Sequence, residues 1–104
     1  MPEILPYIKA IYDYLTYRAN YAMGNIVSIK PVAVLEYARL PNNIPSRAMV
    51  RYLLGQLARA YGGEVIVRND SYIYRFSVPT LRRITGYGFD AFAKLIEVIE
   101  GSQA

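Results

Sequence analysis

Two arginines, Arg47 and Arg51, have the residue type and the spacing to bind an anion. They are four residues apart, so on a helix they project from the same face, one turn from each other. The guanidinium group forms paired hydrogen bonds with phosphate oxygens and with the edge of guanine. The pair therefore predicts a contact with nucleic acid. The alternative is that both are solvated arginines on the outer face of an amphipathic helix.

A helix over residues 46–61 is predicted to position these arginines. Its apolar residues recur at the helical interval and form one stripe, away from both arginines: Val50, Leu53, Leu54, Leu57 and Tyr61. Gly62 and Gly63 are expected to end the helix. The sequence leaves two N-caps open, Ser46 itself or Asn43 with Pro45 already in the first turn. Gly55 lies mid-helix, where it costs about 0.5–1 kcal/mol relative to alanine and suggests close packing or close approach of a partner.

A β-hairpin over residues 64–78 follows that helix. Asn69 and Asp70 tolerate the positive φ angles of a two-residue turn. The second strand places four apolar residues on one face: Tyr72, Tyr74, Phe76 and Val78. Such a face fits packing against a core. The alternative is an aromatic strand that stacks the bases of single-stranded nucleic acid.

The remaining elements complete an α+β pattern. A helix over residues 4–19 has an apolar stripe of Ile4, Leu5, Ile8, Ile11, Tyr12 and Leu15. A short strand over 26–29, a helix over 31–40, a helical turn over 81–84 with Thr80 as its cap, and a last helix over 89–100 are also predicted. Four tyrosines of the first helix region form either a partner surface or more core: Tyr7, Tyr14, Tyr17 and Tyr21.

The composition excludes several kinds of chemistry. The chain has no cysteine and no histidine, which removes disulfides, thiolate nucleophiles and the commonest metal ligand and proton carrier. We therefore expect no enzyme activity, no cofactor and no metal. Lys and Arg number 12 against 8 Asp and Glu, a net charge of +4 that suits a nucleic-acid partner. Without a signal peptide or a long apolar run, a cytoplasmic protein is expected, and the composition suits a heat-adapted protein.

The order of these elements resembles the winged helix-turn-helix family. The resemblance covers about residues 26–78 and rests on the entry to the arginine helix, its apolar stripe, its glycine end and the hairpin: Ile44, Ser46, Val50, Leu53 or Leu54, Leu57, Gly62 and Gly63. It implies a three-helix core, a hairpin wing and an additional C-terminal helix. It also implies that helix 46–61 enters the major groove of double-stranded DNA, while the wing contacts the minor groove or the backbone.

The flanking helices look like those that small archaeal and bacterial winged-helix regulators use to form homodimers. The resemblance thus implies a homodimeric transcriptional regulator, with a protein-interaction module as the alternative. The expected DNA contacts are Ser46, Arg47, Ala48, Arg51 and Tyr52 on the helix, Arg68, Asn69 and Arg75 on the hairpin, and Arg82 and Arg83 after it. Capping by Ser46, core packing by Tyr52 and plain surface exposure of Arg82 and Arg83 are the competing interpretations.

Overall fold

The chain has an α+β fold, as the pattern of its sequence predicts. The computed structural model describes residues 4–102, which form five helices and one three-stranded antiparallel sheet. The elements are α1 (Leu5–Asn20), β1 (Ile26–Ile29), α2 (Pro31–Ala38), α3 (Ile44–Tyr61), β2 (Glu64–Arg68), β3 (Ser71–Ser77), α4 (Val78–Thr85) and α5 (Phe89–Ser102). None of the helices in the described range combines the length and the apolar character needed to cross a membrane.

The sheet has the strand order β1-β3-β2, so the last strand of the hairpin lies in the centre. In β1, Val27 pairs with Phe76, and in β2, Val65 pairs with Tyr74. The turn between β2 and β3 has φ of 47° at Asn69 and 66° at Asp70, which confirms the predicted two-residue turn.

The inner face of the sheet packs on the helices. Tyr74 and Phe76 are buried and Tyr72 is half-buried, so the alternating aromatics of β3 belong mainly to the core. A Cβ atom added to Gly63 would lie 2.9 Å from the Phe76 ring, so only glycine allows the chain to pass this close between α3 and β2. This packing leaves no free face on Tyr74 or Phe76 for a nucleotide base.

The predicted apolar stripes of α1 and α3, together with the inner face of α5, contribute ten residues to the core. The buried members are Ile8, Ile11, Leu15, Val50, Leu53, Leu54, Leu57, Phe92, Ile96 and Ile99. Leu5 is exposed, so its predicted place on the α1 stripe is wrong. The tyrosines of the first helix region are divided between core and surface. Tyr14 is buried, whereas Tyr17 and Tyr21 are exposed.

Several helix boundaries differ from prediction: α3 begins at Ile44, two residues early, and α5 continues to Ser102, two residues late. Helix α2 ends at Ala38, two residues early, because Arg39 adopts the left-handed conformation with φ of 57°. Helix α4 begins at Val78, so strand β3 ends at Ser77, one residue earlier than predicted. The Ser77 hydroxyl accepts a hydrogen bond from the Thr80 amide at 3.2 Å, so Ser77, not Thr80, is the N-cap. Pro79 lies in the first turn, where its missing N–H costs little, and the predicted four-residue turn is a full eight-residue helix.

Candidate nucleic-acid interface

The start of α3 is held by Asn43. Its Oδ1 accepts a hydrogen bond from the Ser46 amide at 2.9 Å, with Pro45 in the first turn. This resolves the choice of N-cap in favour of Asn43. Ser46 is 3% exposed, and its hydroxyl forms a 2.9 Å hydrogen bond with the Tyr7 hydroxyl on α1. Because Ser46 is buried and already has these partners, the structure removes it from the expected DNA contacts.

Arg47 and Arg51 line one cleft, between two helices and the hairpin. The cleft has a volume of about 260 Å³. Its lining comes from the start of α2 (Lys30, Pro31 and Val32), from α3 (Arg47 and Arg51) and from the hairpin (Asp70, Ser71 and Tyr72). We call this set the basic cleft. Three cations and one carboxylate line it, so its charge favours an anion.

The hairpin positions Arg51. The Tyr74 hydroxyl donates a hydrogen bond to the Arg51 carbonyl at 3.2 Å, which fixes the helix turn against β3. The Arg51 guanidinium lies over the Tyr72 ring, 4.8 Å from its centroid. A guanidinium that stacks on a ring keeps its N–H donors in its own plane, directed away from the ring. The Tyr72 ring thus contacts the Arg51 guanidinium at the cleft and leaves its N–H groups able to donate hydrogen bonds.

Arg47 is held by the loop before α3. Its Nη1 donates to Asn42 Oδ1 at 2.8 Å, and the Asn42 carbonyl lies at 3.4 Å. Ala48 follows it and is exposed. A small side chain beside a guanidinium allows a groove wall or a phosphate to come close to the helix.

Tyr52 belongs to a different surface. Its hydroxyl donates a 3.0 Å hydrogen bond to Glu100 Oε2 on α5, and this bond raises the pKa of the Tyr52 phenol. The bond directs the phenol to a carboxylate, which would repel a phosphate. The structure thus gives no support to Tyr52 as a DNA contact.

The hairpin candidates divide between its tip and its outer face. Arg68 and Asn69 are exposed at the turn, next to Asp70 of the basic cleft. Arg75 lies on the face of β3 opposite to the buried Tyr74 and Phe76, and pairs across the sheet with Glu64. Arg75 is therefore not brought together with the arginines of α3.

Arg82 and Arg83 also lie elsewhere. Arg82 Nη2 contacts the Ala19 carbonyl at 3.5 Å, and the Arg83 guanidinium lies 5.6 Å from the centroid of the Tyr61 ring. Tyr61 ends α3, fourteen residues after Arg47, or about 21 Å along the helix at 1.5 Å per residue. The two arginines of α4 do not contribute to the basic cleft.

Lys30 is the residue that the sequence analysis missed. It precedes Pro31, the first residue of α2, and lines the basic cleft with the arginines of α3. Its position before a predicted helix start was visible in the sequence. Its proximity to Arg47 and Arg51 depends on how α2 packs against α3, which periodicity does not specify.

Comparison with protein-family models, with characterised proteins and with solved structures finds no match to this chain. The function proposed below therefore rests on the side chains of the basic cleft.

Proposed function

We propose that this protein is a cytoplasmic, double-stranded DNA-binding protein of the winged helix-turn-helix type that regulates transcription. In this proposal the first half of α3 enters the major groove, with Arg47, Ala48 and Arg51 towards the bases and phosphates. Arg68 and Asn69 at the hairpin tip contact the minor groove or the backbone. The element order from β1 to β3 supports the fold type.

The observation that carries the proposal is the convergence of Lys30, Arg47 and Arg51 on one cleft. Arg47 and Arg51 share one face of α3, and helix packing brings Lys30, the N-cap of α2 and 17 residues before Arg47, to the same cleft. Asp70 is the carboxylate that also lines the cleft. Phosphate oxygens bound here would release counterions from DNA, and that release makes a large contribution to affinity.

The shape of the surface formed by α3 and the hairpin tip also suits the major groove of DNA. An α-helix with its side chains is about 10–12 Å across, and the major groove is about 12 Å wide. Arg47 and Arg51 lie in the first half of α3, and the hairpin tip lies beside them at the cleft. A helix that enters the groove by this end would bring the tip to the neighbouring backbone.

The test is fluorescence anisotropy with random duplex DNA across a salt series. We expect binding that weakens steeply with salt, and a loss of at least about tenfold in affinity for Arg47→Ala/Arg51→Ala. If each arginine neutralises one phosphate, the slope of log K against log salt should fall by about 0.9 for each.

A matched variant separates the cleft from net charge. Arg59→Ala/Arg82→Ala removes the same charge from exposed positions outside the basic cleft, and we expect it to retain most of the affinity. Equal losses in the two double variants, or no binding by the wild type at low salt, would overturn the proposal.

We further propose a homodimer formed through α1 and α5. Leu5 on α1 and Val98 on α5 are exposed apolar residues that such an interface would cover. Sedimentation equilibrium should give twice the monomer mass for the wild type and the monomer mass for Val98→Asp. A monomeric wild type at micromolar concentration would exclude it.

A second function, a protein-interaction module, has one specific observation in its favour. Tyr17, Tyr21 and Tyr37 are large, adjacent and exposed, although aromatic rings of this size are commonly found in cores or interfaces. A stable partner that is retained through these tyrosines, with no DNA affinity at moderate salt, would favour this function.

A further inference from the structure

Four tyrosines form a continuous row of rings where α1 and α2 pack together. Tyr17 lies in the middle, with centroid distances of 5.2 Å to Tyr21 and 5.2 Å to Tyr37, and Tyr37 meets Tyr14 edge-on at 5.4 Å. We call Tyr14, Tyr17, Tyr21 and Tyr37 the tyrosine row. Three rings come from α1 and one from α2, so the helix packing assembles it.

One ring of the tyrosine row is buried and hydrogen-bonded, and the other three are exposed to solvent. Tyr14 is buried, and its hydroxyl accepts a 3.0 Å hydrogen bond from Arg18 Nη1, which also donates to the Ser28 carbonyl at 3.0 Å. The other three rings are 43%, 72% and 47% exposed at Tyr17, Tyr21 and Tyr37. The arrangement thus presents pre-positioned aromatic surface to solvent.

An open cleft of about 440 Å³ lies along the row. It is lined by Asp13, Thr16, Tyr17, Asn20, Tyr21 and Tyr37. Asp13 is the charged residue among these, in a protein with a net charge of +4. Lys9 pairs with Asp13 Oδ1 at 3.1 Å, but it lies one turn towards the start of α1, whereas the tyrosines lie towards its end.

The tyrosine rings and Asp13 in this cleft attract a cation. The face of a tyrosine ring carries negative electrostatic potential, and Asp13 carries a full negative charge. Helix α1 ends at Asn20, so its C-terminal carbonyl groups add partial negative charge at the same end of the cleft. Arg18 lies in this last turn but donates to Tyr14 and to the Ser28 carbonyl and does not line the cleft. Among the described residues, one carboxylate and no cation line this cleft, whereas three cations and one carboxylate line the basic cleft.

We propose that the tyrosine row and Asp13 bind an arginine side chain of a partner protein. A guanidinium group is planar, so it stacks on a ring face, and its N–H edge pairs with a carboxylate at the same time. A lysine ammonium has no flat face and no fixed pair of N–H donors, so it cannot stack on a ring and pair bidentately with a carboxylate in this way. This binding is independent of the proposed DNA binding.

The two surfaces can be occupied together. Lys30 precedes α2 and Tyr37 is seven residues further on, about 10 Å along the helix axis. The tyrosine row and the basic cleft share no lining residue. A partner bound through arginine at one end of α2 would leave the other end free for DNA.

The test is an NMR titration of the full chain with N-acetyl-arginine amide, with the tyrosine rings observed directly. We expect saturable shifts of the Tyr17, Tyr21 and Tyr37 signals. The matching citrulline compound, which has the same shape but no charge, should bind at least about fivefold more weakly. An exposed ion pair contributes about 0.2–1 kcal/mol, so Asp13→Asn should weaken arginine binding by about 1.4- to fivefold.

Glu36→Gln is the matched control, because Glu36 is an exposed acid on α2 that does not line the cleft. We expect it to leave the affinity unchanged, while Tyr37→Leu removes one ring and weakens binding. Equal binding of citrulline, equal effects of Asp13→Asn and Glu36→Gln, or equal binding of the lysine amide would each overturn the proposal. Ring shifts that depend on protein concentration and vanish in Tyr37→Leu would show a second copy as the occupant, and would also overturn it.

Discussion

The basic cleft and the tyrosine row lie at opposite ends of α2, and they are built in different ways. The cleft needs three parts of the chain, namely the start of α2, the first half of α3 and the hairpin tip. The row needs only the packing of α1 on α2. One surface is therefore sensitive to how the hairpin sits on α3, and the other is not. Function at the cleft should be lost first when the sheet is loosened.

Removal of Phe76 should have the largest effect and should separate the two surfaces. Phe76 lies in β3 and pairs with Val27 of β1. Its ring is fully buried and lies beside Gly63. Phe76→Ala is expected to lower the free energy of unfolding by about 3–5 kcal/mol in urea, because it leaves a cavity. At temperatures where the variant is still folded, DNA affinity should fall by more than arginine-amide affinity. Equal loss at both surfaces would contradict the comparison.

Removal of the Tyr74 hydroxyl should have a smaller effect, confined to the basic cleft. Its hydrogen bond to the Arg51 carbonyl links the hairpin to α3. Tyr74→Phe should cost about 1 kcal/mol in urea unfolding at neutral pH and leave arginine-amide binding unchanged. A normal stability together with normal DNA affinity would show that this bond does not hold the cleft together.

The same variant has a pH signature with a defined sign. Burial raises the pKa of the Tyr74 phenol above its ordinary value near 10. A folded-state pKa above the unfolded one stabilises the protein below pH 10, and this stabilisation is lost as the pH rises through the folded-state value. The stability gap between wild type and Tyr74→Phe should therefore narrow above pH 10 in urea titrations. Tyr52→Phe should show a change of the same sign, because the hydrogen bond to Glu100 raises the pKa of the Tyr52 phenol.

Gly55→Ala should have the smallest effect, with the opposite sign. A Cβ atom at Gly55 would lie 4.0 Å from Tyr74 Cε1, which is an ordinary contact, so alanine fits without strain. We expect a gain of about 0.5–1 kcal/mol in stability, from the higher helix propensity of alanine. Both binding surfaces should be unaffected. A fall in DNA affinity alone would show that Gly55 allows close approach of DNA and not of Tyr74.

Much of the fold could be predicted because its signals are local. The apolar stripe of α3 and the Asn69-Asp70 turn each depend on residues close together in sequence, and both are observed. Boundaries were less certain where two local signals compete. Ser77 and Thr80 can each cap α4, and only the observed hydrogen bond decides between them.

The candidate site was less predictable, because exposure depends on neighbours that are distant in sequence. Ser46 is polar and precedes an arginine, yet Tyr7 from α1 covers it. Tyr52 is exposed but bonded to Glu100 on the last helix. Lys30 and Tyr37 gain their roles from the packing of α2 against its two neighbours, and neither has a spacing signal of its own.

By itself the sequence determined the helices, the hairpin and the shared face of Arg47 and Arg51, because helical and strand periodicity and turn geometry are properties of short segments. The tertiary structure decided which polar side chains reach solvent, which arginines share a surface and which tyrosines form a row. The physical reason is that burial and electrostatic fields arise from elements far apart in the chain, and packing alone brings them together.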